Sequence, residues 1–238
     1  MKLTIILLDE THPSVILKAL KLLQILLEYI QKCNTQLELD VLKKKLTNEV
    51  LFKIKLKLGD VNLIVRNNCI SFYCYLLTLK FLDYNKLITD LVLDEIKNNN
   101  KYSTKSGNII LGKINIIINA LSNFENAITF KRTDKINFPS NLLMDYLINN
   151  ISHNKYEIRK QARSAMKLLF KIFGIEKFKK NLEKIDERVL RNLIEKITDL
   201  QGYFPKRNIK PIIGFVNNTS KSRNITLNNT KLISHNNT

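Results

Sequence analysis

The chain has 238 residues, room for one extended domain or two small ones, and 45% of them are hydrophobic, enough for a sizeable core. Six glycines and four prolines are too few for the turns of an all-β fold, so an all-α fold is expected. Thirty-nine Lys and Arg against 21 Asp and Glu give a net charge of +18, which favours an acidic partner such as nucleic acid, an anionic membrane or an acidic protein surface, although the Asn, Ile and Lys bias of AT-rich coding sequence supplies part of that excess unaided.

Residues 2–9 are apolar and too short for an independent helix. They read as the end of a helix whose start is missing, which makes the chain a candidate fragment. The run is also too short for a secretory signal, and Asp9-Glu10 ends it. Thr11-His12-Pro13-Ser14 reads as a turn, with proline near the first position of the next helix. From 15 to 30 the apolar residues recur at helical spacing. Residues 37–58 read as a second long helix, although 53–58 alternates and taken alone resembles a strand. After the polar turn Gly59-Asp60-Val61-Asn62 a helix over 63–81 is apolar almost all round and should be flanked on several sides. A shorter helix is expected over 86–96, a polar loop over 98–108 and a helix over 109–121. An irregular connection over 125–138 leads to Pro139 and a helix to 149. A helix over 157–173 is stopped by Gly174, and two shorter basic helices follow at about 175–183 and 186–200. From about Val216 the chain is rich in Asn, Thr, Ser and Lys, with little to bury, and the folded domain is assigned to 1–204 and a basic, disordered tail to 205–238.

The turn at 59–66 recurs as Ser152-His153-Asn154-Lys155-Tyr156-Glu157-Ile158-Arg159. Ile16, Arg66 and Arg159, each directly after a β-branched residue, are aligned in one register with Lys113, which follows Gly112. The spacings from 16 to 66, 66 to 113 and 113 to 159 are 50, 47 and 46 residues, and a period of about 40–47 that carries two helices is the HEAT-repeat range. Three residues after the anchor stand Ala19, Cys69, Ile116 and Ala162, mostly small, as a close helix crossing needs. The expected architecture is a right-handed α-solenoid of about five HEAT-like helix pairs. Its turns at 10–14, 60–64, 98–108 and 153–157 should lie along one edge. Asp60, Arg66, Lys113 and Arg159 are assigned to stacking: the carboxylate caps a helix and the guanidinium reaches into the next repeat.

Asp60-Val61-Asn62-Leu63-Ile64-Val65-Arg66 resembles the HEAT consensus acid-x-Asn-Pro-x-Val-Arg, and the first turn keeps the proline that the second lacks. The stretch 1–204 resembles a TOG domain. Ile110-Leu111-Gly112-Lys113-Ile114-Asn115 and the end at Gly202-Tyr203-Phe204 look most like the TOG domain of the hundred-and-four-kilodalton centrosomal, ciliary-tip protein family. The resemblance implies a flat paddle that binds αβ-tubulin or microtubules along the row of turns, in the cytoplasm on the cytoskeleton of a centrosome, basal body or cilium. Carried onto this sequence, that edge is Thr11 and His12, then Asn62, Leu63 and Ile64, then Lys101 and Lys105, then Asn154, Lys155 and Tyr156, with Lys180 and Lys184 as a fifth contribution. The chain departs from many TOG domains in having no Trp on the first turn and no basic residue on the first two turns.

No phosphate loop, His-Glu-x-x-His pair or nucleophile elbow occurs, so no enzyme, cofactor or small-molecule substrate is expected. Cys33, Cys69 and Cys74 lack metal-ligand spacing and read as buried, reduced thiols, and His12, His153 and His235 are far apart in sequence. No run is long enough to cross a membrane. A protein-interaction scaffold is the alternative to tubulin binding. A basic nucleic-acid binder is disfavoured, because the aromatic residues sit in the apolar helical stripes.

Overall fold

Every described element is a helix or a turn between helices. The computed structural model describes residues 2–33, 36–93, 103–129 and 138–183, together with 185 and 190. All of them belong to one compact unit, Met1–Gln201. Lys101, Lys184, all but one residue of the helix expected at 186–200, and the 205–238 tail lie outside the described residues.

The helices are α1 (Lys2–Leu7), α2 (Pro13–Cys33), α3 (Gln36–Lys45), α4 (Leu51–Lys57), α5 (Leu63–Leu76), α6 (Tyr84–Leu93), α7 (Ser103–Thr129), α8 (Ser140–Asn150), α9 (Tyr156–Phe173) and α10 (Lys179–Leu182). A π-helical turn, Leu46–Val50, joins α3 to α4 without leaving helical backbone angles, so the expected second helix is one rod. The alternating residues 53–58 continue that rod. Burial explains why: Ile54 and Leu58 are both fully buried, four residues apart, on one helical face.

The long helices α2, α5, α7 and α9 pack each on the next. The shorter helices back them: α1 packs on α2, α4 on α5, α6 on α7 and α8 on α9, while α6 also meets α8 and α8 meets α10. The core runs between the two sets through Leu23, Ile54, Val65, Ile117, Met144 and Leu169. Each such side chain contributes about 1.5–3 kcal/mol by leaving water. Tyr73 is buried among them and its hydroxyl donates to the Leu87 carbonyl at 2.8 Å, so its one polar atom is satisfied. Gly112 is the close point between α7 and α4, since a Cβ there would stand 3.0 Å from the Leu58 Cβ.

Several boundaries differ from the sequence reading. Residues 103–108 are helical rather than loop, and α7 is 27 residues long. Its first turns are Ser, Thr, Lys, Ser, Gly and Asn, which carry no apolar period, yet nothing among them breaks a helix as proline would. Gly107 is buried under the Lys155 side chain, whose Nζ would stand 2.6 Å from an added Cβ. Residues 125–129, expected to be irregular, also belong to α7. The helix expected to reach 81 ends at Leu76. The stretch at 2–9 holds a short helix with Thr4 and Ile5 buried, and Leu8 is buried just beyond it. Gly174 ends α9 as expected, at φ +75°, where a side chain would be strained. The segment after it is a 3-10 turn, Glu176–Phe178, leading into the short α10.

Candidate interaction edge

The turns before α2, α5 and α9 are built to one plan, and the backbone hydrogen bonds fix their register. Asp9 N–H donates to Ile6 O at 2.9 Å, as Gly59 N–H does to Leu56 O at 3.1 Å. Ile16 N–H donates to His12 O at 3.3 Å, Arg66 N–H to Asn62 O at 3.1 Å and Arg159 N–H to Lys155 O at 3.3 Å. Three residues after the anchor, Ala19, Cys69 and Ala162 are all buried.

The carbonyl six residues before each anchor accepts from a cation. Arg66 Nη1 donates to Asp60 O at 2.6 Å and to Val61 O at 2.9 Å. Arg159 Nη1 donates to His153 O and Asn154 O, both at 2.7 Å. The first turn has Ile16 where the others have arginine, and there Lys57 Nζ reaches across from α4 to Glu10 O at 2.8 Å. These carbonyls follow the C-terminal end of a helix, where partial negative charge gathers, so a cation is the fitting partner.

This geometry corrects the expected role of the arginines. Arg66 and Arg159 close their own turns instead of reaching a neighbouring pair, because a spacing of six residues across a tight turn brings the guanidinium back over its own loop. The link between pairs is made by Lys57 and by Lys53, whose Nζ donates to Ile5 O at 3.1 Å and to the Asp9 carboxylate. Lys57 also stands 3.9 Å from Asp60, so it touches the first and second turns together. Lys113 is buried in the middle of α7 and follows no turn, so the third anchor of the alignment has no equivalent loop. Arg66→Ala is expected to cost about 1–2 kcal/mol, since two charge-assisted bonds are lost while water replaces part of them at a half-exposed turn. Urea unfolding checks this, and a loss below about 0.5 kcal/mol would deny the guanidinium a structural role.

At the start of α5, Asn62 is a helix cap: its Oδ1 accepts from Ile64 N–H at 2.9 Å and Val65 N–H at 3.4 Å. Asp60 Oδ1 in turn accepts from Asn62 N–H at 2.9 Å. At the start of α9, His153 takes the place of Asp60, its Nδ1 accepting from Lys155 N–H at 3.0 Å. That bond needs the Nδ1 lone pair and therefore a ring without a proton there. Partial burial first, then the Lys155 and Arg159 charges, hold the His153 pKa below its ordinary 6.5. The folded state thus disfavours the imidazolium. The stability His153 contributes is present above about pH 6.5 and is lost as pH falls through its lower folded value. Thermal melts between about pH 7.5 and pH 5 should fall more steeply for the wild type than for His153→Asn, which keeps the acceptor without titrating. Parallel curves would remove His153 from the pH dependence.

Contacts link neighbouring parts of the expected edge to one another and to α7. Lys57 bridges the turns at 10 and 60, Leu58 lies against Gly112, and Gly107 lies under Lys155. Along that edge Thr11, His12, Leu63, Ile64, Asn154, Lys155 and Tyr156 are exposed, while Asn62 is half-buried by its capping work. Val61 is 88% exposed and belongs with Leu63 (58%) and Ile64 (59%) at the tip, although the sequence reading passed over it. A β-branched residue inside a polar turn was the signal that could have found it. His12 is held by its own loop, with Nδ1 2.8 Å from Ser14 Oγ. The Tyr156 ring lies beside the Arg159 guanidinium at 5.9 Å. Lys105 lies in the first turns of α7, near the edge, and Lys180 is exposed on α10.

Lys155 is the one exposed lysine on the turns at 10–14, 60–64 and 153–157. The first two turns carry no basic residue, and Val61, Leu63 and Ile64 give the second an apolar tip. Cys69 is buried and Cys74 half-buried, and desolvation pushes their thiols up to about 12 and about 11, so both stay protonated and unreactive at neutral pH. Among the described residues no cluster of three His, Cys, Asp or Glu could hold a metal ion, and no helix is long and apolar enough to cross a membrane. Comparison with protein-family models, curated proteins and solved structures finds no match to this chain.

Proposed function

We propose that the chain is a HEAT-type α-solenoid, non-enzymatic, whose turn edge binds an acidic protein surface, and that tubulin or the microtubule is that surface. The carrying observation is the turn built three times in one register, with cations closing its carbonyls and its tips left exposed. Rigid turns in a row are what a solenoid offers a partner. The choice of tubulin rests on the resemblance to TOG domains, and with it come the cytoskeleton, the centrosome and the cilium as sites of action. On this reading Val61, Leu63 and Ile64 supply the desolvated contact and Lys155 sets register against acidic groups.

The test is pelleting with microtubules whose acidic tails have been removed, beside a salt titration of duplex DNA binding. The wild type should pellet, and the Lys105→Ala, Lys155→Ala pair should lose most of that binding while keeping its circular dichroism. Tighter binding to DNA with a steep salt slope would replace tubulin by nucleic acid. The apolar tip of Val61, Leu63 and Ile64 favours a second reading, a protein-interaction scaffold for another partner. Absence of binding in both assays is the result that reading expects.

A further inference from the structure

Helix α9 carries a surface different from the turn edge. Its buried side is Ile158, Ala162, Ala165, Met166, Leu169 and Phe170. The opposite side holds Lys160, Arg163, Lys167 and Lys171, which at helical geometry fall within an arc of roughly 80° and at intervals of roughly 4.5–6 Å along the axis. The three lysines are exposed. Two of the four cations are held in place: Arg163 Nε donates to Arg159 O at 3.1 Å, and Lys171 Nζ lies 2.7 Å from Glu125 of α7. Residues 156–182 contain eight basic and two acidic side chains.

The neighbouring long helices do not continue this charge. The exposed residues of α5 include Asn67, Asn68 and Ser71, and those of α7 include Asn119, Asn123 and Asn126. A lysine excess from coding bias alone would be spread over all the long helices. α5 and α7 remain nearly neutral, whereas α9 carries five basic residues against one acidic; α3 and α4 are also rich in lysine, but Lys43 pairs with Asp40, Lys53 and Lys57 are engaged at the first turn and Lys55 is buried.

We propose that this stripe docks an extended acidic peptide segment, with Lys160, Arg163 and Lys167 each facing a carboxylate and Lys171, paired with Glu125, closing the stripe at its end. An extended chain sets alternate side chains on one face about 6.6 Å apart, close to the spacing of the stripe. Duplex DNA is the competing polyanion, and displacement by a duplex oligonucleotide separates it from an acidic peptide. Single-stranded nucleic acid needs aromatic platforms. Among the described residues the exposed aromatic ring of α9 is Tyr156, at its first turn beside the Arg159 guanidinium. The stripe and the turn edge are separate, so this inference stands or falls without the tubulin reading.

The test uses the full chain and a fluorescent oligoglutamate, read by anisotropy over a salt series. The stripe variant is Lys160→Glu with Lys167→Glu. The control is Lys18→Glu with Lys21→Glu, two exposed lysines of α2, which changes net charge equally. The stripe variant should weaken binding on the order of tenfold or more and the control by no more than about twofold. Both should melt as the wild type does, because all four positions are exposed. Equal weakening in the two variants would reduce the effect to net charge and overturn the proposal, as would no weakening in either. A duplex oligonucleotide of the same total charge that displaces oligoglutamate would overturn it in favour of nucleic acid.

Discussion

Phe138→Ala is expected to destabilise the chain by about 3–5 kcal/mol, the largest effect of any single truncation considered, because it empties the centre of an aromatic cluster. Phe138 is 5% exposed. Its ring centroid lies 4.7 Å from that of Phe124, 5.4 Å from Phe173 and 6.0 Å from Tyr84. Those three rings belong to α7, α9 and α6, so one side chain holds three helices together. Phe173 extends the cluster to Phe178, which packs edge-on against Phe170 at 5.8 Å. Phe138 also stands just before α8, where Pro139 offers no side-chain cap and its carbonyl accepts from Leu143 N–H at 3.1 Å. Losing the ring therefore leaves both a cavity and a loosened helix start. Each aromatic pair adds about 0.5–1.5 kcal/mol beyond area burial, which places the cost toward the upper end. Thermal melting should fall by roughly 10 °C, whereas Phe138→Leu, which keeps most of the volume, should lose less than half as much. A cost below about 1 kcal/mol for the alanine variant would mean that the cluster is not packed as described.

Much of this fold could be read from spacing. The 3.6-residue apolar period places α2, α5, α8 and α9, and Gly174 marks an end that the backbone confirms at φ +75°. The anchors Ile16, Arg66 and Arg159 share a hydrogen-bond register as their alignment implies, because a turn that must return the chain to the same core tolerates little change in length. Lys113 misled for a physical reason. It matched the period by position, but the polar start of α7 hid six helical residues behind a composition that reads as loop. Asn62 was assigned to contact, although its place just before an apolar run is an N-cap signal, and its side chain is spent on two amides. The clamp by Lys53 and Lys57 was not legible. Nothing local in the sequence says that a lysine will meet a carbonyl more than forty positions away, since tertiary packing brings α4 over the first turn. The candidate edge was therefore legible as a set of turns, while its chemistry, apolar at the tip and cationic underneath, required the side chains.

Leu63→Asp combined with Ile64→Asp should leave stability almost unchanged and weaken partner binding about a hundredfold. The two residues are 58% and 59% exposed, so little packing is lost. They are the first two residues of α5, and carboxylates in a first helical turn face the positive end of the helix dipole, which is worth about 0.3–1 kcal/mol in their favour. Folding and binding are thereby separated: the substitution supports the helix and spoils the tip. A desolvated apolar contact cannot take two carboxylates without burying unpaired charge. An acidic partner adds repulsion, so Leu63→Lys with Ile64→Lys should bind more tightly than the aspartate pair despite the same loss of apolar area. That ordering distinguishes an acidic surface from a purely apolar one, where both pairs would lose equally. Affinity by pelleting and stability by melting, measured on the same preparations, decide the matter. If the aspartate pair binds within about twofold of the wild type, the tip at 61–64 is not where the partner sits.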